Sequence, residues 1–151
     1  MASISDLEVE QVRQHLITGG FLAAFTDIYG NAQPAPVTQV NELDLAAINN
    51  DDRVVMIRTI GGITNPQTRT LFKEKSIIVL VVGQAIVNDS YIVNGLADDM
   101  EKWLMANPSD GQCMFNIVSS GVTGPSITED SRRVYEVNFT ASFNIDRPVF
   151  G

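Results

Sequence analysis

Three acidic side chains on one segment are the first candidates for acid–base or metal chemistry. Asp98, Asp99 and Glu101 lie close enough in sequence to suggest a proton-transfer set or a cation site. The segment has helical periodicity, however, and helix residues one or two positions apart do not face each other. We therefore expect these carboxylates to spread over a solvated helix face. Asp51 and Asp52 follow two asparagines, a pattern typical of a turn.

The single histidine and the single cysteine offer no catalytic pair. His15 lies near the end of a predicted helix, where an imidazolium interacts favourably with the helix dipole, and no nucleophile is near it in sequence. Cys113 begins an apolar run and is expected to be a small buried hydrophobic residue. One cysteine cannot form an internal disulfide, and one histidine excludes the His/His pairs of most catalytic zinc sites. Trp103 fits the apolar stripe of its helix and is predicted to pack in the core.

The glycine-rich segments do not form a phosphate-binding loop. Gly61-Gly62 and the run from Gly121 to Gly124 lack the Gly-Lys-Ser/Thr and Gly-x-Gly-x-x-Gly spacings that cradle phosphates. Each chemical candidate thus has a simpler structural explanation, and no cofactor or metal is predicted. A structural or interaction protein is therefore favoured over an enzyme.

Charge and composition narrow the class further. The 151 residues include ten Lys and Arg against eighteen Asp and Glu, giving a net charge of −8. This balance argues against a free-standing nucleic-acid binder, which needs a basic face to neutralise phosphates. A hydrophobic content of 44% with 19% charged residues fits one folded domain, predicted over residues 1–151. The start of the chain lacks the pattern of a signal peptide, so we expect a protein that folds in the cytosol without a membrane partner.

Helical signals occur at two places. A predicted helix over residues 6–18 begins with the capping box formed by Ser5 and Glu8 and ends at Gly19-Gly20. A longer helix, SYIVNGLADDMEKWLMA, follows three alternative N-cap residues and ends before Pro108. Its apolar face consists of Ile92, Leu96, Met100, Trp103 and Leu104.

Strand signals come in two pairs. Residues 53–60 and 68–82 are predicted to form an antiparallel hairpin, and the unbroken IIVLVV in the second run is typical of a central strand covered on both faces. Residues 113–118 form a short strand. Residues 135–145 alternate between apolar and polar, which predicts a strand with one dry face. The polar residues 119–131 between them are predicted to be a long loop.

These elements define the fold class. The segment 21–50 follows neither the helical nor the strand period, and its structure stays open. The other elements run helix, hairpin, helix, hairpin. The predicted fold is therefore α+β, with an antiparallel or mixed sheet of about four to five strands and two main helices packed on one face.

The order of these segments also supports a family resemblance. A capped helix leads through VVMIRTIGG, KSIIVLVVGQA and SYIVNGLADDMEKWLMA to the closing strand RRVYEVNFTASFNI. This order resembles that of the phage tail-terminator proteins of the lambda type, over about residues 3–145. The resemblance implies a virion structural protein, assembled in the host cytoplasm, whose subunits form a hexameric ring. Such rings cap the tail tube, end its polymerisation and form the head–tail joining surface at the head-proximal end of the tail.

The resemblance implies a set of partners. They are other copies of the chain, the tail tube protein and a head completion or connector protein, with DNA only as passing cargo in the lumen. An acidic ring suits this passage, because a basic lumen would hold the phosphates. Two alternatives stay open: another head–tail connector or minor tail protein, and a small cytosolic ligand-binding domain or enzyme. Assembly into rings, against a constant monomer or dimer, would distinguish the phage proteins from the second alternative.

The predicted assembly segments are the two polar connections, residues 61–70 and 119–131. A connection that orders on docking would keep premature association weak, because part of the binding free energy is spent on ordering. Five cations in or beside these segments are predicted to pair with acidic patches of a neighbouring subunit or the tube through charge-assisted hydrogen bonds. They are Arg58, Arg69, Lys73, Arg132 and Arg133. The alternative is that they are solvated strand ends, since isolated surface ion pairs contribute little.

Overall fold

A computed structural model describes residues 7–60 and 72–144 of the chain. These residues form two α-helices, a two-stranded sheet and a five-stranded sheet. In chain order the elements are α1 (Leu7–Thr18), β1 (Phe25–Thr26), β2 (Ala32–Gln33), β3 (Val37–Val40), β4 (Val54–Ile60), β5 (Phe72–Val82), α2 (Ser90–Ala106), β6 (Met114–Ile127) and β7 (Arg133–Asn144). The previously open segment 21–50 thus contributes three short strands and one 3₁₀ turn over Leu45–Ala47.

The large sheet is mixed and has the strand order β3-β4-β5-β7-β6. Only the β3–β4 pair is parallel among these strands. The predicted hairpin of β4 and β5 is confirmed, with Val54 opposite Val82 and Ile60 opposite Ser76. Its connection, residues 61–71, lies outside the described residues. The sequence-based prediction of an α+β fold with a mixed sheet of about five strands is therefore confirmed.

Both helices pack on the same face of the sheet. The alternation predicted for the last strand is confirmed, because every second side chain of β7 is buried against them. The core on this face includes Val12 and Leu16 of α1, Val93, Met100 and Leu104 of α2, Val79 and Val81 of β5, and Val137, Phe139 and Phe143 of β7. Trp103 is only partly buried and packs against the edge of this core. Ile145, predicted on the same stripe, lies outside the described residues.

The opposite face of the sheet is covered at one end only. Val54 and Met56 of β4 are buried there under side chains of the segment that carries the 3₁₀ turn. Two and four residues further along the same face of β4, Arg58 and Ile60 are exposed. The prediction that the IIVLVV strand is covered on both faces is therefore correct only near its C-terminal end, since Ile78 is half-buried beside Arg58.

The helix boundaries agree with the sequence signals. α2 runs from Ser90 to Ala106 as predicted, and its C-cap is Asn107, directly before Pro108. Asp89 is the N-cap residue, although its side chain makes no capping hydrogen bond. α1 ends at Thr18 as expected. The capping residue predicted for its start, Ser5, lies outside the described residues.

The predicted loop over residues 119–131 is wrong. β6 continues to Ile127, which lies opposite Arg133 of β7, so the connection is reduced to residues 128–132. The pairing with β7 shifts register at three places along β6, and Gly121 and Gly124 take positive φ angles of 112° and 138°. Bulges of this kind need residues that accept unusual backbone angles. The turn-forming composition therefore marks an irregular edge strand.

Candidate assembly surfaces

Arg132, predicted to contact a neighbouring subunit, lies inside its own subunit. Its side chain is 1% exposed, and its guanidinium donates to Asp130 Oδ2 at 2.8 Å and to three backbone carbonyls. Those carbonyls belong to Asn49 at 2.9 Å, Asp52 at 2.8 Å and Gly83 at 3.0 Å. Arg132 thus joins the β6–β7 connection to the segment before β4 and to the end of β5. Its guanidinium is therefore used within the subunit.

The other predicted cations within the described residues lie apart from each other and differ in their partners. Lys73 Nζ pairs with the buried Glu8 at 2.7 Å and so links β5 to α1. Arg133, next to Arg132, donates to the Ser131 carbonyl at 2.7 Å. Arg69 lies outside the described residues.

Arg58 differs from the rest of the set. It is exposed, and within residues 7–60 and 72–144 it makes no hydrogen bond or ion pair. β3 ends at Val40, opposite Ile57, so no described strand flanks β4 beyond that point. Arg58 therefore stands at an open corner of the sheet with its charge available to a neighbour.

A buried ion pair of Arg53 and Asp89 has no counterpart in the sequence-based predictions. Arg53 Nε lies 2.7 Å from Asp89 Oδ2, and neither side chain is more than 4% exposed. Arg53 also donates to Gln33 Oε1 at 2.9 Å, and Asp89 Oδ2 accepts the backbone N–H of Gln84 at 3.0 Å. The pair fastens β2 and the start of α2 to β4. No periodic pattern relates residues 36 positions apart, so only the fold reveals this pair.

Large hydrophobic side chains are exposed at the end of the sheet where β5 and β6 end and β4 and β7 begin. We call this set the apolar end: Ile28, Tyr29, Ile86, Val87, Tyr91 and Ile127. Their exposed fractions range from 46% to 77%. The rings of Tyr29 and Tyr91 meet edge to face with centroids 5.6 Å apart. Exposed apolar groups that gather in one region indicate a contact surface.

The turn that carries Ile28 and Tyr29 is held by one carboxylate. Asp27 Oδ1 accepts the backbone N–H groups of Tyr29 and Asn31, each at 2.9 Å, and Oδ2 accepts from Gln33 Nε2 at 3.0 Å. The hydrogen bond from the Asn31 backbone, followed by that from Tyr29, holds the pKa of Asp27 below its ordinary value. The β1–β2 turn therefore presents its hydrophobic side chains from a defined backbone.

A polar groove lies between α1 and the connection that follows α2. It has a volume of about 490 Å³, and its lining contains two carboxylates, Glu10 and Asp110, but no lysine or arginine. We call it the acidic groove. His15 and Trp103 also line it, with ring centroids 4.4 Å apart. The His15 side chain is buried near the end of α1, and its Nε2 lies 2.9 Å from the Asn107 carbonyl oxygen.

Gln11 of the acidic groove is an exception to ordinary hydrogen bonding. The side chain is 4% exposed, yet neither its Oε1 nor its Nε2 has a partner within the described residues. Buried side-chain amides are nearly always paired, because an unpaired one keeps the full cost of its desolvation. The sequence does not predict this unpaired buried amide. Gln11 lies on α1 between the polar Glu10 and the apolar Val12, so the helical pattern does not indicate whether its side chain is buried.

The chemical candidates of the sequence remain separate from each other. Asp99 is exposed and Asp98 half-buried on α2, while Glu101 accepts a hydrogen bond from the Ser119 hydroxyl of β6. Cys113 is buried as expected. Within the described part of the chain, no group of three or more His, Cys, Asp or Glu residues is placed to hold a metal ion. No described helix is both long and apolar enough to cross a bilayer.

Comparison with known proteins adds the family. A search of curated proteins finds no match. A family model of phage tail termination proteins matches residues 7–145, which include every described helix and strand. The match supports a structural role in tail completion, in which the protein interacts with other tail or head proteins of the virion. The chain therefore belongs to the family of phage tail termination proteins.

Proposed function

We propose that this protein forms a hexameric ring that caps the phage tail tube at its head-proximal end. The ring stops further polymerisation of the tube and presents the surface that the filled head joins. Its partners are other copies of the chain, the tail tube protein and a head completion or connector protein. DNA passes through the lumen as cargo, and the net charge of −8 per chain disfavours its retention.

The apolar end is the observation that carries the proposal. A cap on a tube must present its contact residues in one direction, and these six hydrophobic side chains all lie at one end of the sheet. Covering them with protein removes apolar surface from water, which is the main favourable contribution to association. The turn held by Asp27 and the buried Arg53–Asp89 pair fix this end before binding, so little ordering cost arises on docking.

The proposal is tested by tail length. A phage lacking this gene is complemented with the wild-type chain, with a Tyr29→Ser/Tyr91→Ser variant or with Val118→Ser, and tails are measured by electron microscopy. Val118 is 57% exposed in β6, away from the apolar end, and its variant is the matched control. We expect overlong tails without complementation and with the tyrosine variant, and normal tails with the wild type and the control.

The same experiment distinguishes the related functions. Normal-length tails that fail to join heads, in the absence of the chain, would indicate a connector. Tails of normal length with the tyrosine variant would show that the apolar end does not contact the tube.

A further inference from the structure

We propose that the acidic groove of one subunit receives the exposed sheet corner of a second copy, with that copy's Arg58 as the inserted side chain. This inference rests on the proposed ring and adds the contact that builds it. The groove supplies carboxylates and an amide, and the corner supplies a cation; the amide and the cation have no partner within residues 7–60 and 72–144.

The groove has acceptor atoms that the subunit leaves unused. Glu10 Oε1 already accepts from Arg13 at 3.1 Å and from Gln14 at 2.8 Å, but Glu10 Oε2 has no partner within the described residues. Asp110 Oδ1 accepts two backbone N–H groups, from Gln112 at 2.8 Å and Met114 at 3.0 Å, and its Oδ2 is likewise unused there. The two carboxylates can therefore accept further hydrogen bonds without breaking those they make.

Gln11 indicates that something is bound in this groove. A side chain that is 4% exposed with neither polar atom paired costs free energy in the isolated subunit. An apolar residue of the same size would avoid this cost, so the amide fits a donor that arrives from outside. A guanidinium carries five N–H donors in a planar fork and can serve Gln11 Oε1 and a carboxylate together once the groove lining shifts to admit it, because both polar atoms of Gln11 are enclosed in the isolated subunit. Trp103 lines the same groove, and an indole ring attracts a guanidinium that lies over its face.

Arg58 matches these requirements. It is an exposed arginine without a partner in the described chain, flanked on the open face by Ile60, which is 42% exposed, and by the half-buried Ile78. Arg13 and Arg133 are engaged within the subunit, and Arg53 and Arg132 are buried. The chain is acidic overall, and a cation next to apolar groups is complementary to a groove lined by two carboxylates, of which only Glu10 pairs with a cation, Arg13, within the described residues.

The positions of the two surfaces suit a ring. The groove belongs to the helix layer, whereas Arg58 projects from the opposite face of the sheet. A contact between two different surfaces of identical subunits is heterologous, and it closes into a ring when the rotation between neighbours permits.

Charge reversal tests the pairing in the full chain. Glu10→Arg and Arg58→Glu are each expected to weaken self-association at least tenfold in sedimentation velocity, because like charges then face each other. The double variant is expected to recover to within about threefold of the wild type, since it restores the pair with reversed polarity. Glu129→Arg, at an exposed acid outside the groove, is the control and should leave association unchanged. A double variant no better than the singles would overturn the pairing.

Gln11→Met separates binding from folding. Removing an unpaired buried amide is expected to leave the thermal midpoint equal or higher, while self-association falls about fivefold with the loss of an acceptor. A lower midpoint with unchanged association would show that Gln11 serves the fold of the subunit and would overturn its assigned role.

A crosslink identifies the occupant. Chains with Gln14→Cys, at an exposed position of the groove lining, are mixed with chains with Ile60→Cys, beside Arg58, and treated with a short bis-maleimide, both in solution and in assembled tails; Cys113 is buried and should not react. We expect a crosslinked dimer only in the mixture, and a ladder ending at ring size when one chain carries both cysteines. Rings or normal tails without this crosslink would overturn the groove contact but leave the cap intact. Crosslinked rings with overlong tails would overturn the proposed capping function and leave the groove contact intact.

Discussion

Arg58 lies in β4 and Arg132 directly precedes β7 of the same sheet, but the two arginine side chains have different roles. Arg132 lies where the β6–β7 connection, the segment before β4 and the end of β5 meet, and their carbonyl oxygens surround its guanidinium. Arg58 lies where β4 runs past the end of β3, and its neighbours on the open face are the apolar Ile60 and Ile78. The comparison shows that the surrounding acceptors, rather than residue type or position beside a strand, decide whether a cation serves the fold or a partner.

Arg53 extends the comparison. It is buried like Arg132, and both arginines lie where β4 and β7 begin, next to the side chains of the apolar end. Two guanidinium groups therefore hold the connections that carry the exposed hydrophobic side chains. The acidic groove differs in degree: both polar atoms of Gln11 lack a partner within the described residues, whereas at the Arg53–Asp89 pair only Asp89 Oδ1 does.

Breaking the Arg53–Asp89 pair should have the largest effect on stability. Arg53→Met leaves the Asp89 carboxylate, whose side chain is 3% exposed, without its counter-ion. Removing one partner of a buried ion pair costs about 3–5 kcal/mol, which corresponds to a fall in thermal midpoint of roughly 10 °C for a chain of this size. Adding Asp89→Asn should recover at least half of the loss, because no buried charge then remains. If calorimetry showed an unchanged thermal midpoint in Arg53→Met, this would contradict the role of the pair in holding β2 and the start of α2 to β4.

Arg132→Met compared with Arg58→Met tests the central contrast directly. Arg132→Met leaves three carbonyls and Asp130 without their donor and should cost about 3 kcal/mol in denaturant unfolding. Arg58→Met removes an exposed charge with no partner in the described chain and should change the free energy of unfolding by less than about 0.5 kcal/mol. Equal losses of unfolding free energy in the two variants would mean that burial does not distinguish the role of Arg132 from that of Arg58.

The same contrast explains which parts of the molecule could be predicted from the sequence. Alternation along β7 and the helical stripe of α2 are local and strong, so these elements and the β4–β5 hairpin could be predicted. β6 could not, because the bulges at Gly121 and Gly124 require the small residues that also form loops. The burial of Arg132 depends on carbonyls from residues about 50 to 80 positions away, and no local pattern contains them. The position of a cation beside a polar connection, on which the predicted assembly contacts depend, does not show whether its side chain is buried.

Trp103→Ala should have an intermediate effect. The sequence places Trp103 on a core stripe, which predicts a loss of about 3–5 kcal/mol on truncation. The structure places it at the edge of the core, partly buried and in contact with His15 and Phe21, so we expect about 2 kcal/mol. Phe139→Ala, at a side chain 2% exposed, is the matched comparison and should cost more. If the tryptophan variant proved the less stable of the two, the edge position would be contradicted.

The smallest effect concerns the acid that pairs with Arg132. Hydrogen bonds from the Thr128 hydroxyl and from Arg132 hold the pKa of Asp130 below its ordinary value. A carboxyl with a lowered folded-state pKa contributes stability above its unfolded-state pKa, and this contribution disappears as the pH falls through the folded-state value. Because the Asp130 side chain is 40% exposed, Asp130→Asn should cost no more than about 0.5 kcal/mol at pH 7. The difference in thermal midpoint between wild type and variant should shrink as the pH falls below about 4, where the carboxyl is protonated first in the unfolded wild type and only at lower pH in the folded one. A difference in thermal midpoint that stays constant from pH 7 to pH 3 would show that Asp130→Asn destabilises the chain by changing hydrogen-bond geometry and not by removing a charge. Arg132 would then depend on its carbonyl partners alone.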